Sequence, residues 1–150
     1  DGGTYLQPSP HQVPIADFIV ARAEEMSNDK ALWVNIQNSW PAEAPGHILK
    51  LVLGPGASGS AVIADSATVP AIKQQHRKVT AVEMEAYGVC AAARSSTSPK
   101  PTAIIMKSVC DFADDEKSDK WQHYSSHTSA QGMHVFFNRY LAKIISLAGT

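Results

Sequence analysis

Val79-Thr80-Ala81-Val82-Glu83-Met84-Glu85-Ala86 is the stretch on which the fold turns. Val79 to Met84 is β-branched and apolar and reads as a buried strand. Glu85 to Ala93 is Ala-rich and reads as a helix. Two carboxylates therefore sit where a strand hands over to a helix. In a strand, residues i and i+2 face one side, so Glu83 and Glu85 would project together near the sheet edge. Helix capping is the other explanation for either one, because a carboxylate near a helix N-terminus gains from the macrodipole.

Outward from this junction, Ile48 to Leu53 alternates weakly and ends at a Gly-rich turn, which predicts a strand. Val62 and Ile63 suggest a short second one. Asp65 or Ser66 is placed to cap a helix running to about His76. Thr102 to Val109, with Ala103-Ile104-Ile105-Met106, reads as a further buried strand. After a polar loop, Met133, Phe136, Phe137, Tyr140, Leu141 and Ile144 trace the stripe of an amphipathic helix. Trp121 and Tyr124 open it. Toward the N-terminus, Pro14 to Met26 reads as a helix, with Pro14 suited to a first turn. Trp33 to Trp40 is left open between strand and loop. Residues 1–45 form a weakly assigned N-terminal segment, expected to pack on the same single domain as residues 46–150. Strands alternating with helices predict an α/β layered sheet, largely parallel or mixed, flanked by helices. In such sheets ligands sit at the carboxyl ends of strands. Gly54 to Ser60, Glu83 to Glu85 and Cys110 to Asp115 lie at those expected ends.

The 150 residues suit one domain, and a 44% hydrophobic share can supply its core. Thirteen Lys plus Arg against fourteen Asp plus Glu give a formal charge of −1, which offers no basic face to nucleic acid or an anionic membrane. The longest apolar run, Val89 to Ala93, falls far short of a bilayer span. Asp1-Gly2-Gly3 lacks the basic and apolar regions of a signal peptide. Two cysteines, Cys90 and Cys110, make no disulfide framework, so a reduced, cytoplasmic protein is expected.

Gly54-Pro55-Gly56-Ala57-Ser58-Gly59 matches G-x-G-x-x-G, but a dinucleotide site needs a helix opening on the third Gly. The β-like run Ser60-Ala61-Val62-Ile63 follows instead. A tight turn between strands is the expectation, with a small-ligand loop left open. Asp111 follows a predicted strand closely, a common active-site placement, whereas Asp114, Asp115 and Glu116 read as a solvated acidic loop. His123 and His127 have the spacing of a zinc pair, but Tyr124 stands where a metalloprotease carries Glu, so no metal is expected. Cys90 reads as a buried small hydrophobe. The charge of Asp111 would raise the Cys110 thiol pKa and blunt its nucleophilicity.

Three blocks in order, Ala57-Ser58-Gly59-Ser60-Ala61-Val62-Ile63, Ala81-Val82-Glu83-Met84-Glu85-Ala86 and Cys110-Asp111, resemble the C-terminal half of the purine nucleoside phosphorylase and nucleosidase superfamily. That group includes the methylthioadenosine/S-adenosylhomocysteine nucleosidases. A closer resemblance is to phosphorylase-like effector domains of larger bacterial and fungal signalling proteins. There the last block reads like Val109-Cys110-Asp111-Phe112-Ala113-Asp114, followed by Lys117, Trp121-Gln122 and Tyr124. The similarity covers residue 46 to about 147.

The resemblance implies cleavage of the N-glycosidic bond of a purine nucleoside or nucleotide, by hydrolysis or phosphorolysis. Asp111 would protonate the leaving base, with a carboxyl pKa raised by burial. Glu85 would hold the ribose hydroxyls and favour the developing ribosyl cation. Met84 would pack on the ribose, Glu83 would order the segment, and Ser58, Val62 and Ile63 would belong to the substrate-binding wall. No cofactor is implied, with phosphate open as a co-substrate, and homo-oligomerisation is implied by the same resemblance. Val62 stands where nucleosidases stack an aromatic residue on the purine, a loss of about 1 kcal/mol scaled from aromatic pairs. Ser60 stands where they often carry Asp. The family's N-terminal half, with its phosphate-binding glycine loop and water-activating acid, has no counterpart here, so the chain reads as a fragment or a reduced relative. The alternative to an enzyme is a catalytically incomplete module that binds or senses purine nucleosides or nucleotides.

Overall fold

The computed structural model describes residues 12–59, 70, 72, 78–111 and 119–148. Among them the chain runs α1 (Asp17–Ser27), α2 (Lys30–Asn38), β1 (Gly56–Ser58), β2 (Ala81–Glu83), α3 (Ala86–Ser95), a single 3-10 turn (Asp119–Trp121) and α4 (Gln122–Ala148). The architecture is mixed helix and strand, with a two-stranded parallel sheet, consistent with an α/β class. Gly56 pairs with Ala81, Ala57 with Val82 and Ser58 with Glu83. The pairing is continued at both ends by Thr80 N–H to Pro55 O (2.9 Å) and Gly59 N–H to Glu83 O (3.0 Å).

The core is helical. Ile19 and Met26 of α1, Trp33 and Ile36 of α2, and Phe136, Tyr140 and Ile144 of α4 are buried together. The i, i+4, i+8 spacing of the α4 residues places them on one face. Only part of the expected stripe is used, since Phe137 and Leu141 are 38% and 43% exposed. Within α4, a Cβ on Gly132 would lie 2.7 Å from the Met106 sulfur and 3.4 Å from the Trp33 ring, so glycine admits both neighbours close to the helix backbone.

The region left open between strand and loop is helix α2. Trp, Val and Ile suit strands by propensity, but a cap and tertiary burial override it. Asp29 accepts the Leu32 N–H at 3.0 Å. Trp33 Nε1 donates to Met26 O at 3.1 Å, closing α2 onto the end of α1.

Two expected strands carry no ladder. Ile48 to Leu53 keeps a period of two, with residues 49, 51 and 53 half-buried and residues 48, 50 and 52 exposed. Its Leu49 N–H is met by a side chain instead of a strand. Gln37 accepts the Leu49 N–H at 2.9 Å and donates to Pro45 O and His47 O at 3.2 and 2.9 Å. Thr102 to Val109 likewise has no strand pairing. Ile104 and Met106 pack on the helical core, while α4 side chains hold the segment: Ser108 Oγ and Thr128 Oγ1 are 2.7 Å apart, and Ser125 Oγ donates to Val109 O at 3.2 Å. The expected Gly-rich turn at 54–60 contains strand β1. The strand at Val62 and Ile63, the cap at Asp65 or Ser66 and most of the helix to His76 lie outside the described residues. Helix Pro14–Met26 is realised as α1, Val79–Met84 as the shorter β2, and Glu85–Ala93 as α3. Among the described residues no helix is long and apolar enough to cross a membrane.

Candidate functional site

An α-helix begins with backbone amides that have no partner within the helix. At α3 these are met from the two strands. Glu83 Oε2 accepts the N–H groups of Glu85 (2.8 Å) and Ala86 (2.7 Å), and Ser58 Oγ accepts that of Tyr87 (3.1 Å). Of the two carboxylates, Glu83 is therefore the cap. Glu85 stands at the N-cap position but makes no side-chain cap bond, and its side chain is 61% exposed.

Lys107 faces both acids. Its Nζ lies 3.5 Å from Glu83 Oε2 and donates a close hydrogen bond to Glu85 Oε2. Burial pushes the Glu83 carboxyl up. The adjacent Ser58 hydroxyl, the Ala86 and Glu85 amides and the Lys107 charge outweigh it and hold the pKa below its ordinary value. The bond to Glu85 raises the Lys107 pKa against the opposing effect of its own desolvation, aided by the charges of Glu85 and Glu83.

These three side chains border a cavity of about 310 Å³. Its remaining wall is Ala86 and Val89 of α3, Ile104, Ile105 and Met106 of the extended segment, and Met133 of α4. An apolar floor with a few convergent polar groups is the usual form of a small-molecule site. Here the floor would take an apolar ring face, and the Glu85 carboxylate would accept hydrogen bonds from ligand hydroxyls.

Of the residues singled out in the sequence, the structure brings Ser58, Glu83 and Glu85 together at the head of α3. Met84 is 46% exposed and does not line the cavity. Asp111 is half-buried beside Cys110, whose Sγ is 3.4 Å from Asp111 Oδ2, and it too is absent from the cavity wall. Val62 and Ile63 lie outside the described residues. Cys90 is buried and Cys110 half-buried. His127 is bonded to Ser39 Oγ at 2.9 Å, and no cluster suited to a metal ion occurs among the described residues. Sequence reasoning passed over Lys107. Its signal was there, as the single charge in the run Ala103 to Cys110.

No family model and no solved structure matches the chain. An uncharacterized protein y4jS of Sinorhizobium fredii (strain NBRC 101917 / NGR234) is 31% identical over 129 residues, which is 86% of this chain and 31% of that protein. An ATP nucleosidase Cap17 of Escherichia coli (strain KTE188) is 35% identical over 74 residues, 49% of this chain and 14% of that protein. The chain thus spans under a third of the length of these relatives, and its similarity to a nucleosidase is partial.

Proposed function

We propose that this chain carries the purine-nucleoside-binding part of a protein that cleaves the N-glycosidic bond of a purine nucleoside or nucleotide. One observation carries the reading. Glu83 meets the helix amides, so the neighbouring Glu85 carboxylate is left to face an apolar-floored cavity. In this reading Glu85 accepts the ribose 2′- and 3′-hydroxyls. Bond cleavage builds positive charge on the sugar, and a fixed carboxylate favours that state over the neutral ground state. Ser58 and Glu83 order the wall, and the family resemblance assigns Met84 to the ribose and Val62 and Ile63 to the substrate-binding wall. Asp111, four residues beyond Lys107, delivers the proton to the purine as it leaves. The partial similarity to an ATP nucleosidase supports a nucleotide among the substrates. Homo-oligomerisation and a cytoplasmic setting belong to the same proposal.

The test is purine-base release from adenosine and from ATP, followed by chromatography, with binding measured in parallel by calorimetry. Asp111→Asn should abolish base release and keep binding, while Glu85→Gln should weaken binding. Unchanged turnover in Asp111→Asn would remove that residue from the mechanism. A second reading, a module that binds the purine ligand without turning it over, is favoured by the place of Asp111 outside the cavity wall. Binding without base release in the unmodified protein selects it.

A further inference from the structure

We propose that Lys107 is a positioning residue that holds Glu83 and Glu85 as one oriented pair, tying the α4 side of the molecule to the β2–α3 junction. Three observations combine. The segment that bears Lys107 has no strand ladder, yet its backbone is placed on both sides of the lysine. Met106 packs into the helical core before it, and Ser108 and Val109 are bonded to Thr128 and Ser125 of α4 after it. From that anchored base, the ammonium reaches one oxygen of each acid. Finally, the Glu83 side chain is only 10% exposed and its Oε1 is buried without a hydrogen-bond partner, so the ionised form depends on what Oε2 receives.

Without the lysine, two like charges two residues apart would repel, and the Glu83 pKa would rise toward its ordinary value, opposed by the Ser58 hydroxyl and the two amides that still hold it down. A protonated Glu83 is a poorer acceptor for the α3 amides, and Glu85 would lose the contact that sets its direction. The ammonium opposes both. The charged groups lining the cavity are Glu83, Glu85 and Lys107, and α4 contributes Met133, which does not titrate. The clamp stands on geometry alone, whereas its consequence for a ligand rests on the function proposed above.

The experiment compares the unmodified protein with Lys107→Met, Lys107→Arg and Glu85→Gln. Carboxyl-carbon NMR titrations report Glu83 and Glu85, and calorimetry with adenosine reports the site. Lys107→Met should raise the Glu83 midpoint and weaken adenosine binding roughly tenfold. Lys107→Arg, which keeps the charge, should restore most of both. Should Lys107→Met not fold, Glu85→Gln provides the measurement from the other side: the Lys107 amine midpoint should fall. An unmoved Glu83 midpoint in Lys107→Met, or an unmoved Lys107 midpoint in Glu85→Gln, overturns the clamp. Adenosine affinity lost in Glu85→Gln but intact in Lys107→Met overturns the positioning role. Affinity intact in both variants, with the midpoints shifted, upholds the clamp and rejects the nucleoside reading of the cavity.

Discussion

Ser58 and Glu83 are register partners across β1 and β2, and they divide the first amides of α3 between them. The sheet pairing thereby fixes where the helix starts and which acid is spent on starting it. Lys107 approaches the same carboxylate from a third segment. A strand end, a helix start and an extended segment therefore meet at one side chain.

Removing that side chain should loosen the helix start. Glu83→Ala leaves the amides of Glu85 and Ala86 without acceptors and should lower the unfolding free energy by about 1–2 kcal/mol. Ser58→Ala, which frees one amide, should cost about 1 kcal/mol. Urea unfolding followed by circular dichroism measures both, and an equal, negligible loss in the two variants would contradict the capping role.

The pH dependence follows from the sign of the shift. The Glu83 pKa in the folded protein lies below its ordinary value of 4.5. Its ionised form is therefore favoured by folding, and the contribution is complete above pH 4.5 and lost as pH falls through the lower folded-state value. The stability difference between the unmodified protein and Glu83→Gln should accordingly be constant near neutrality and shrink on acidification toward pH 3. Unfolding curves at matched ionic strength from pH 7 to 3 test this, and a difference that grows toward acid would have the wrong sign.

Gly54 stands against Thr80 at the entrance to the strand pair. A Cβ at this position would come within 2.8 Å of Thr80 Oγ1 and closer still to its methyl group. Thr80 is β-branched and stiff, and it donates from both N–H and Oγ1 to Pro55 O, so it yields only by disturbing the pairing. Gly54→Ala should destabilise by about 1–3 kcal/mol. Faster exchange of the Gly59 and Thr80 amides would be the local signature, and a variant as stable as the parent would show that the approach is looser.

Adjacent phenylalanines on α4 should behave differently. Phe136 is fully buried among the α1 and α2 residues, whereas Phe137 is 38% exposed. Phe136→Ala should cost about 3–5 kcal/mol through lost burial and a residual cavity. Phe137→Ala should cost less than about half as much, because less apolar area leaves contact. Comparable thermal shifts in the two variants would mean the helix face is assigned wrongly.

Much of this was legible one element at a time. The reading of Pro14 to Met26 as a helix anticipates α1, the apolar spacing of Phe136, Tyr140 and Ile144 anticipates α4, and the run Val79 to Glu85 anticipates a strand meeting a helix. Where the sequence misled, it did so through period alone. Ile48 to Leu53 and Thr102 to Val109 have the composition of strands, yet the Leu49 N–H is met by Gln37 and the Val109 carbonyl by Ser125, both helix-borne side chains. Periodicity reports which residues face inward and is silent on who supplies the hydrogen bonds. In the same way α2 was hidden, because Trp33 and Ile36 favour a strand by propensity and a helix by their packing against α1 and α4.

Local pattern was thus enough to mark Glu83-Met84-Glu85 as the place where a strand hands over to a helix, since strand and helix periods and turn residues are properties of near neighbours. Which acid caps the helix, which faces a cavity and which cation stands between them was decided only by tertiary structure. Those answers depend on Ser58, Glu83 and Lys107, side chains from distant parts of the chain brought within hydrogen-bond or ion-pair range by core packing and strand register.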